Sequence, residues 1–238
     1  MRGCEDLVLN PESYEYADRV SVERLEFEVK AVSKRISVVL GEDFERVREA
    51  IALAACIHDI GKALNHYQAI LVQKCGSGEV ISLAGHEVVS AIVASPLFTL
   101  ALGDRRKASV FIAGIMLHHS ARRSVDEAIE KLSALGVDLY KEVSQGIDSM
   151  TELIARNCKS LKIFITSSEL LRVRREVLEG LTRPLIAQKI IEEVASIRMS
   201  KFGELVAYVA SIVDNIDAFI SRRDEAVRGL LIKRFLKT

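Results

Sequence analysis

Apolar residues recur at helical spacing along most of this 238-residue chain, and no segment shows the strict alternation of a β-strand. Aromatic residues make up only 5% of the chain, tryptophan is absent and there are three prolines. Such a composition favours helices, because strands are enriched in aromatic and β-branched residues. The sequence contains no internal repeat and no low-complexity segment. It therefore predicts an all-α fold with residues 1–238 as a single domain.

Several short signals predict where the helices begin and end. Asp43 is placed to cap a helix that runs through "LAACIHDIGK" at 53–62, and Gly61 is expected to loosen its end. "SVDE" at 124–127 and "TSSE" at 166–169 are capping boxes, and "KCGSGEV" at 74–80 is predicted to be a loop. The other predicted helices cover Val22–Leu40, about Gly85 to Ala94 before Pro96, Asp104–His119 and Tyr208–Ile220.

Composition limits the cellular setting. The four cysteines form no CxxC pair, no signal peptide is visible, and no apolar run approaches the roughly 20 residues of a membrane span. These features predict a cytoplasmic protein without membrane contact, and the scarcity of Asn and Gln hints at a thermophilic source. Net charge is zero, but residues 151–238 hold 16 basic against 11 acidic residues. This basic excess fits either a polyanion-facing surface or ordinary solvated helix faces.

All five histidines lie between His58 and His119, and two sets end strongly apolar helices. His58 and Asp59 close the run that begins at Ile51, and imidazole and carboxylate are both good metal ligands. Lys62 follows His58 by one helical turn, as expected if the site holds an anionic substrate. A surface His-Asp pair at a helix end is an equally good interpretation of these residues alone.

The remaining candidates follow the same logic. His118 and His119 end a second apolar helix, where burial without a partner is costly, so a ligand role is favoured over a core role. Asp214 interrupts an apolar helix face, as a surface acid or as a buried carboxylate that needs a cation. His86 and His66 are each more easily explained as structural when taken alone.

The order of these residues is more specific than any of them individually. "HDIGKALNHYQ", "GHEVVSA", "LHHS" and "VDNIDA" occur in succession along the chain. Together they resemble the HD superfamily of metal-dependent phosphohydrolases, and in detail the HD nuclease of type I CRISPR systems. The resemblance covers about residues 20–220 and implies an HD-domain helical bundle. This chain has no Gly-x-x-x-x-Gly-Lys loop, so it resembles the separate form of a nuclease that is often fused to a DExD/H helicase.

The resemblance also implies roles for individual residues. Asp59 would bridge two divalent ions, with His58 and Asp214 on one ion and His86, His118 and His119 on the other. Lys62 would neutralise charge on the phosphorus or position the water. The implied reaction is endo- or exonucleolytic hydrolysis of single-stranded DNA, with RNA as the alternative substrate. The implied ions are Mn²⁺ or Mg²⁺, or else Ni²⁺ or Co²⁺. The implied partners are a CRISPR helicase subunit and the surveillance complex.

One position departs from the family pattern. Relatives usually have another metal-binding histidine on the first helix, whereas residues 1–57 of this chain contain no histidine. Glu28 is the nearest substitute, with Glu26 and Glu23 as alternatives, and glutamate suits a hard ion. This leaves occupancy of both metal sites open.

Two further hypotheses concern the substrate. Arg122 and Arg123 follow the His-His pair and could grip a flanking phosphate, or could lie in a solvated loop. Tyr67, Tyr140 and Phe164 are available for base stacking, although the sequence does not place them. The rival functions are hydrolysis of a small nucleotide by another kind of HD enzyme, and a metal-stabilised scaffold that docks to a helicase.

Overall fold

The computed structural model describes residues 22–74, 83–119, 125–134, 138–160, 165–181 and 200–222, with a few isolated residues between these ranges. The described part is entirely helical and contains no strand, which confirms the predicted all-α fold. Its helices are α1 Val22–Leu40, α2 Phe44–Ile57, a 3₁₀ turn Ile60–Ala63, α3 Asn65–Lys74, α4 His86–Leu102, α5 Arg105–Leu117, α6 Val125–Ala134, α7 Leu139–Ser160, α8 Ser167–Leu181 and α9 Gly203–Arg222. Within these ranges, no helix has the length and hydrophobicity to span a bilayer.

The predicted helix caps are present wherever the structure describes them. The Asp43 carboxylate accepts hydrogen bonds from the backbone N–H groups of Glu45 and Arg46, at 2.9 and 3.1 Å. Thr166 and Glu169 satisfy each other's backbone amides, so "TSSE" is a capping box. Ser124 and residues 75–80 of the predicted 74–80 loop lie outside the described residues, and Lys74, also predicted to be in that loop, is instead the last residue of α3.

The prediction that a helix stops before Pro96 is wrong, because α4 continues through this proline to Leu102. Proline inside a helix removes one backbone hydrogen bond and crowds the preceding turn. Here 13 of the 17 residues of α4 are buried, with Phe98 stacked on Phe111 of α5 at 5.4 Å between ring centroids. Burial of apolar surface on both sides of the proline therefore offsets its cost.

Helix α4 lies at the centre of the fold, packed against α2, α5, α8 and the 3₁₀ turn. Helix α9 covers the other side, in contact with α1, α2 and α5. A single apolar cluster, largely of Leu, Ile, Val and Ala side chains, joins these helices. The arrangement brings the carboxyl ends of α2 and α5 to the amino end of α4, which is where the histidines lie.

Helices α5 and α9 cross at very short distance, and Gly114 makes this possible. A Cβ atom at Gly114 would lie 2.3 Å from Cγ1 and 2.6 Å from Cβ of Val209. His118 follows Gly114 by four residues and Asp214 follows Val209 by five, so the crossing also sets how closely these two residues approach.

We expect Gly114→Ala to lower the free energy of unfolding by about 1–3 kcal/mol, because the added methyl group overpacks the α5–α9 crossing. Urea denaturation followed by circular dichroism measures the change. Gly146→Ala on α7 is the matched control: its Cβ would meet its nearest neighbour at an ordinary 3.6 Å. This control should be neutral or stabilising, since alanine favours a helix over glycine. Equal stability of the two variants would contradict the close crossing.

Candidate metal centre

The first residues of the site lie where α2 ends. Nine residues of α2 are buried, namely Val47 and every residue from Ala50 to Ile57. The last turn of the helix is therefore held rigidly in the core. His58 caps the helix and donates its backbone N–H to the carbonyl of Ala54 at 2.9 Å. Asp59 leaves the helical conformation, with φ −103° and ψ 6°, and begins the 3₁₀ turn. This change of backbone direction lets two adjacent side chains face the same region.

Four other predicted residues reach the same place from three helices. His86 begins α4, His118 caps the end of α5, His119 follows it, and Asp214 lies on α9. Their possible ligand atoms form two groups, within each of which all atoms lie within 4.8 Å of one another. The first group contains Asp59, His86, His118 and His119, and the second contains His58, His118 and Asp214. The structure thus brings all six residues together, and it places His118 in both groups.

The three buried histidines are oriented by the same local contact. The Nδ1 atoms of His58, His86 and His118 each face the carbonyl oxygen three residues earlier, at 3.1, 2.7 and 2.5 Å. A carbonyl oxygen only accepts hydrogen bonds, so Nδ1 carries the hydrogen in each ring. In its neutral form, a ring held in this way presents a bare Nε2 lone pair to the centre of the site, as in metal-binding histidines.

Asp59 links the two groups through its two carboxylate oxygens. Its Oδ1 lies 2.9 Å from Nε2 of His86 and 3.5 Å from Nε2 of His118. Its Oδ2 lies 3.5 Å from Nε2 of His58, which in turn lies 3.6 Å from Oδ1 of Asp214. Two donors that share one ion at about 2.1 Å, at cis or tetrahedral angles, stand roughly 3.0–3.4 Å apart. The observed spacings fit donors around a shared divalent ion.

His118 provides a second test of that fit. Its Nε2 atom is buried and has no hydrogen-bond partner in the described structure, and at 3.5 Å the nearest Asp59 oxygen is too far for a good bond. A buried polar atom without a partner costs about 1–3 kcal/mol. A cation between the two groups would satisfy it, so the residues present can hold a metal ion.

The charge state of the site also favours a cation. Burial raises the pKa of the Asp59 carboxyl, but the Lys62 ammonium group and the imidazoles of His58, His118 and His86 outweigh it and hold the pKa well below its usual range. Asp59 is therefore ionised at neutral pH. Burial lowers the pKa of His118, but the carboxylates of Asp59 and Asp214 outweigh it and raise that pKa. The potential at His118 is negative, so it attracts a proton or a metal ion.

The other two imidazoles of the first group are neutral. Burial lowers the pKa of His86 and of His119, and in His119 the neighbouring rings of His118 and His86 lower it further. A neutral His86 with hydrogen on Nδ1 directs a lone pair at an Asp59 oxygen only 2.9 Å away. Two facing lone pairs repel unless a cation binds both, which is the arrangement of a metal site.

Residues around the motif hold the site together. The Lys62 ammonium group donates to Oδ2 of Asp59 at 2.5 Å, so its charge lies directly at the carboxylate. Tyr67 is almost fully buried and donates its hydroxyl to the carbonyl of Ala84, just before His86. Gln68 donates to the carbonyl of Lys62 at 2.7 Å. Tyr67 is therefore a structural residue and is not free to stack on a base.

Other predicted residues lie elsewhere. Glu28 accepts a hydrogen bond from Arg24 at 3.1 Å and belongs to neither group of ligand atoms among the described residues. The side chains of α1 that reach the core nearby are Leu25 and Val29, which cannot bind a metal.

His66 lies in the first turn of α3 with its ring against Tyr67, in keeping with a structural role. Arg122, Arg123 and Phe164 fall outside the described residues, and Tyr140 is exposed at 42%.

Sequence reasoning missed the close packing of the 3₁₀ turn against α4, in which Gly61 and Ser90 take part. The sequence predicts that Gly61 loosens the end of α2. Instead the 3₁₀ turn packs tightly there, because a Cβ atom added at Gly61 would lie 2.1 Å from the carbonyl oxygen of His86. Ser90 accepts a hydrogen bond from the N–H of Gly61 at 2.8 Å. The buried carboxylate of Glu87 accepts from Gly85 N–H and lies 3.3 Å from Nδ1 of His86. A polar residue in the apolar first turns of α4 was the available signal for Ser90.

Comparison with known proteins gives one structural likeness. No protein-family model and no curated protein matches the chain. Among solved structures, the chain is similar to the CRISPR-associated Cas3 HD domain protein MJ0384 from Methanocaldococcus jannaschii. The two chains are 18% identical, the match covers 90% of this chain and 93% of the other, and the TM-score is 0.45.

Proposed function

We propose that the chain is a metal-dependent phosphohydrolase, and more specifically a nuclease that hydrolyses single-stranded DNA or RNA. The observation that carries the proposal is the convergence of four histidines and two aspartates in two adjacent groups that share His118. The residues of these groups are His58, Asp59, His86, His118, His119 and Asp214. The resemblance of the motifs around them to HD nucleases supports a phosphodiester substrate.

The donor set suits a pair of divalent transition ions. Imidazole nitrogens favour borderline ions such as Mn²⁺, Co²⁺ or Ni²⁺, while the carboxylates of Asp59 and Asp214 also accept Mg²⁺. The first group offers three imidazoles and one carboxylate, and the second offers two imidazoles and one carboxylate. When bound, two ions supply an activated water and neutralise charge on the phosphate.

The protein's own residues position the reacting groups. The Nδ1–carbonyl contacts of His58, His86 and His118 keep each Nε2 lone pair directed at the centre. The Asp59 carboxylate keeps both groups at a fixed separation through its two oxygens. Lys62 places a positive charge at Asp59, where it can approach a non-bridging phosphate oxygen of the substrate.

The biological setting in this proposal rests on the motif resemblance. A separate HD nuclease of type I CRISPR systems works with a helicase subunit, which supplies the single strand, and with the surveillance complex. Arg122 and Arg123 remain candidates for phosphate contact because they closely follow His119 in the sequence.

The test offers the purified protein a labelled single-stranded oligonucleotide with Mn²⁺, and separately deoxynucleoside triphosphates and cyclic nucleotides. We expect the single-stranded oligonucleotide to be cut and the same oligonucleotide annealed to its complement to be cut much less. A chelator should stop both cleavage reactions. A circular single strand distinguishes internal cutting from digestion at ends. Turnover of small nucleotides beside an intact oligonucleotide would favour the nucleotidase alternative, and complete inactivity with every ion would favour the scaffold.

A further inference from the structure

The 3₁₀ turn and the first two turns of α4 meet backbone to backbone. Gly61 lies so close to α4 that an added Cβ would be 2.1 Å from the carbonyl oxygen and 2.9 Å from the carbonyl carbon of His86. At this contact the N–H of Gly61 donates to Oγ of Ser90 at 2.8 Å. Ser90 is fully buried, and Gly61 is buried as well.

This contact lies between two of the proposed metal ligands. Asp59 precedes Gly61 by two residues, and His86 precedes Ser90 by one helical turn. The distance from Oδ1 of Asp59 to Nε2 of His86 is 2.9 Å, shorter than the 3.5 Å contacts of Asp59 with His58 and His118. Because the turn and α4 are otherwise separate elements, the Gly61–Ser90 hydrogen bond helps to fix that distance.

We propose that Ser90 is a positioning residue for the metal centre, which acts through Gly61 to hold Asp59 at its distance from His86. The inference rests on the proposed function, since it assumes that Asp59 and His86 bind the same ion. Without the hydroxyl, the N–H of Gly61 is left buried without its acceptor, and the 3₁₀ turn is free to shift. Residues that orient metal ligands typically change metal affinity about 10–100-fold when removed.

The test measures metal binding directly. We expect Ser90→Ala to weaken Mn²⁺ binding about 10-fold in isothermal titration calorimetry. Ser109→Ala is the matched control. Ser109 is also a buried helical serine, but its hydroxyl donates to the carboxylate of Glu193 at 2.7 Å, and Glu193 belongs to neither ligand group. Thermal unfolding in chelator shows how much each substitution affects the metal-free fold.

The outcomes separate this inference from the proposed function. Wild-type binding of Mn²⁺, unchanged by Ser109→Ala and weakened by Ser90→Ala, supports the positioning role. Equal Mn²⁺ affinity in wild type and Ser90→Ala, even with a lower melting temperature, would make Ser90 merely structural and overturn the inference while leaving the nuclease proposal standing. A wild-type protein that binds no divalent ion would overturn both.

Discussion

Asp59→Asn is expected to weaken Mn²⁺ binding by more than about 100-fold and to abolish cleavage of a single strand. Removing a residue that only orients a metal ligand costs up to about 100-fold, and Asp59 is itself a proposed ligand. Its oxygens lie next to imidazoles of both groups, at 2.9 Å from His86 and 3.5 Å from His58. Asparagine keeps the size of the side chain but not the charge, so neither group retains its shared anion.

The control for Asp59→Asn is Asp148→Asn on α7. Asp148 is exposed and bonds Arg174, far in sequence from every proposed ligand. Calorimetry gives the affinity of both variants, and circular dichroism with a chelator present shows whether each is folded. A folded Asp59→Asn protein with wild-type Mn²⁺ affinity would contradict the assignment of Asp59. An Asp59→Asn protein that does not fold would give Asp59 a structural role instead.

Gly61→Ala is expected to lower the free energy of unfolding by about 3 kcal/mol, at the upper end of the range for overpacking. The obstacle is backbone, namely the carbonyl of His86 at 2.1 Å, and backbone cannot rotate away as a side chain can. The turn and α4 must separate, which breaks the Ser90 contact and moves Asp59 away from His86. Urea denaturation and Mn²⁺ titration should therefore both show a loss.

The Gly146→Ala protein serves as the control here too. Gly146 is buried beside Ala63, at the end of the same 3₁₀ turn, but its Cβ would lie 3.9 Å from the carbonyl oxygen of Ala63. Both substitutions add one methyl group next to the turn, and only that at Gly61 meets backbone at short distance. Wild-type metal affinity and stability in Gly61→Ala would show that the turn does not need glycine.

Much of the fold follows from local signals in the sequence. The helical spacing of apolar residues predicts the all-α fold, and Asp43, Asp104 and "TSSE" mark helix starts that the structure confirms. These signals work because a cap satisfies backbone groups within its own helix. Pro96 misleads for the converse reason: its cost is local, but the burial of α4 that offsets it is tertiary.

The candidate site shows the same division. Polar residues at the ends of apolar runs identified His58, Asp59, His118 and His119, because such residues are costly to bury without a partner. Which side-chain atoms meet depends on how the helices cross. The sequence therefore does not predict that His118 belongs to both groups or that Ser90 contacts Gly61. No pattern within a single helix encodes contacts between residues 29 positions apart.

For the proposed metal centre, the carbonyl contacts at Nδ1 of His58, His86 and His118 have a consequence for which element it would bind. Each contact is made to the carbonyl oxygen three residues earlier in the chain, so these imidazoles are aimed before any ion arrives. Exchange of one divalent ion for another then requires no refolding of the pocket. Selection among manganese, cobalt and nickel falls to their supply and to the intrinsic order of their affinities.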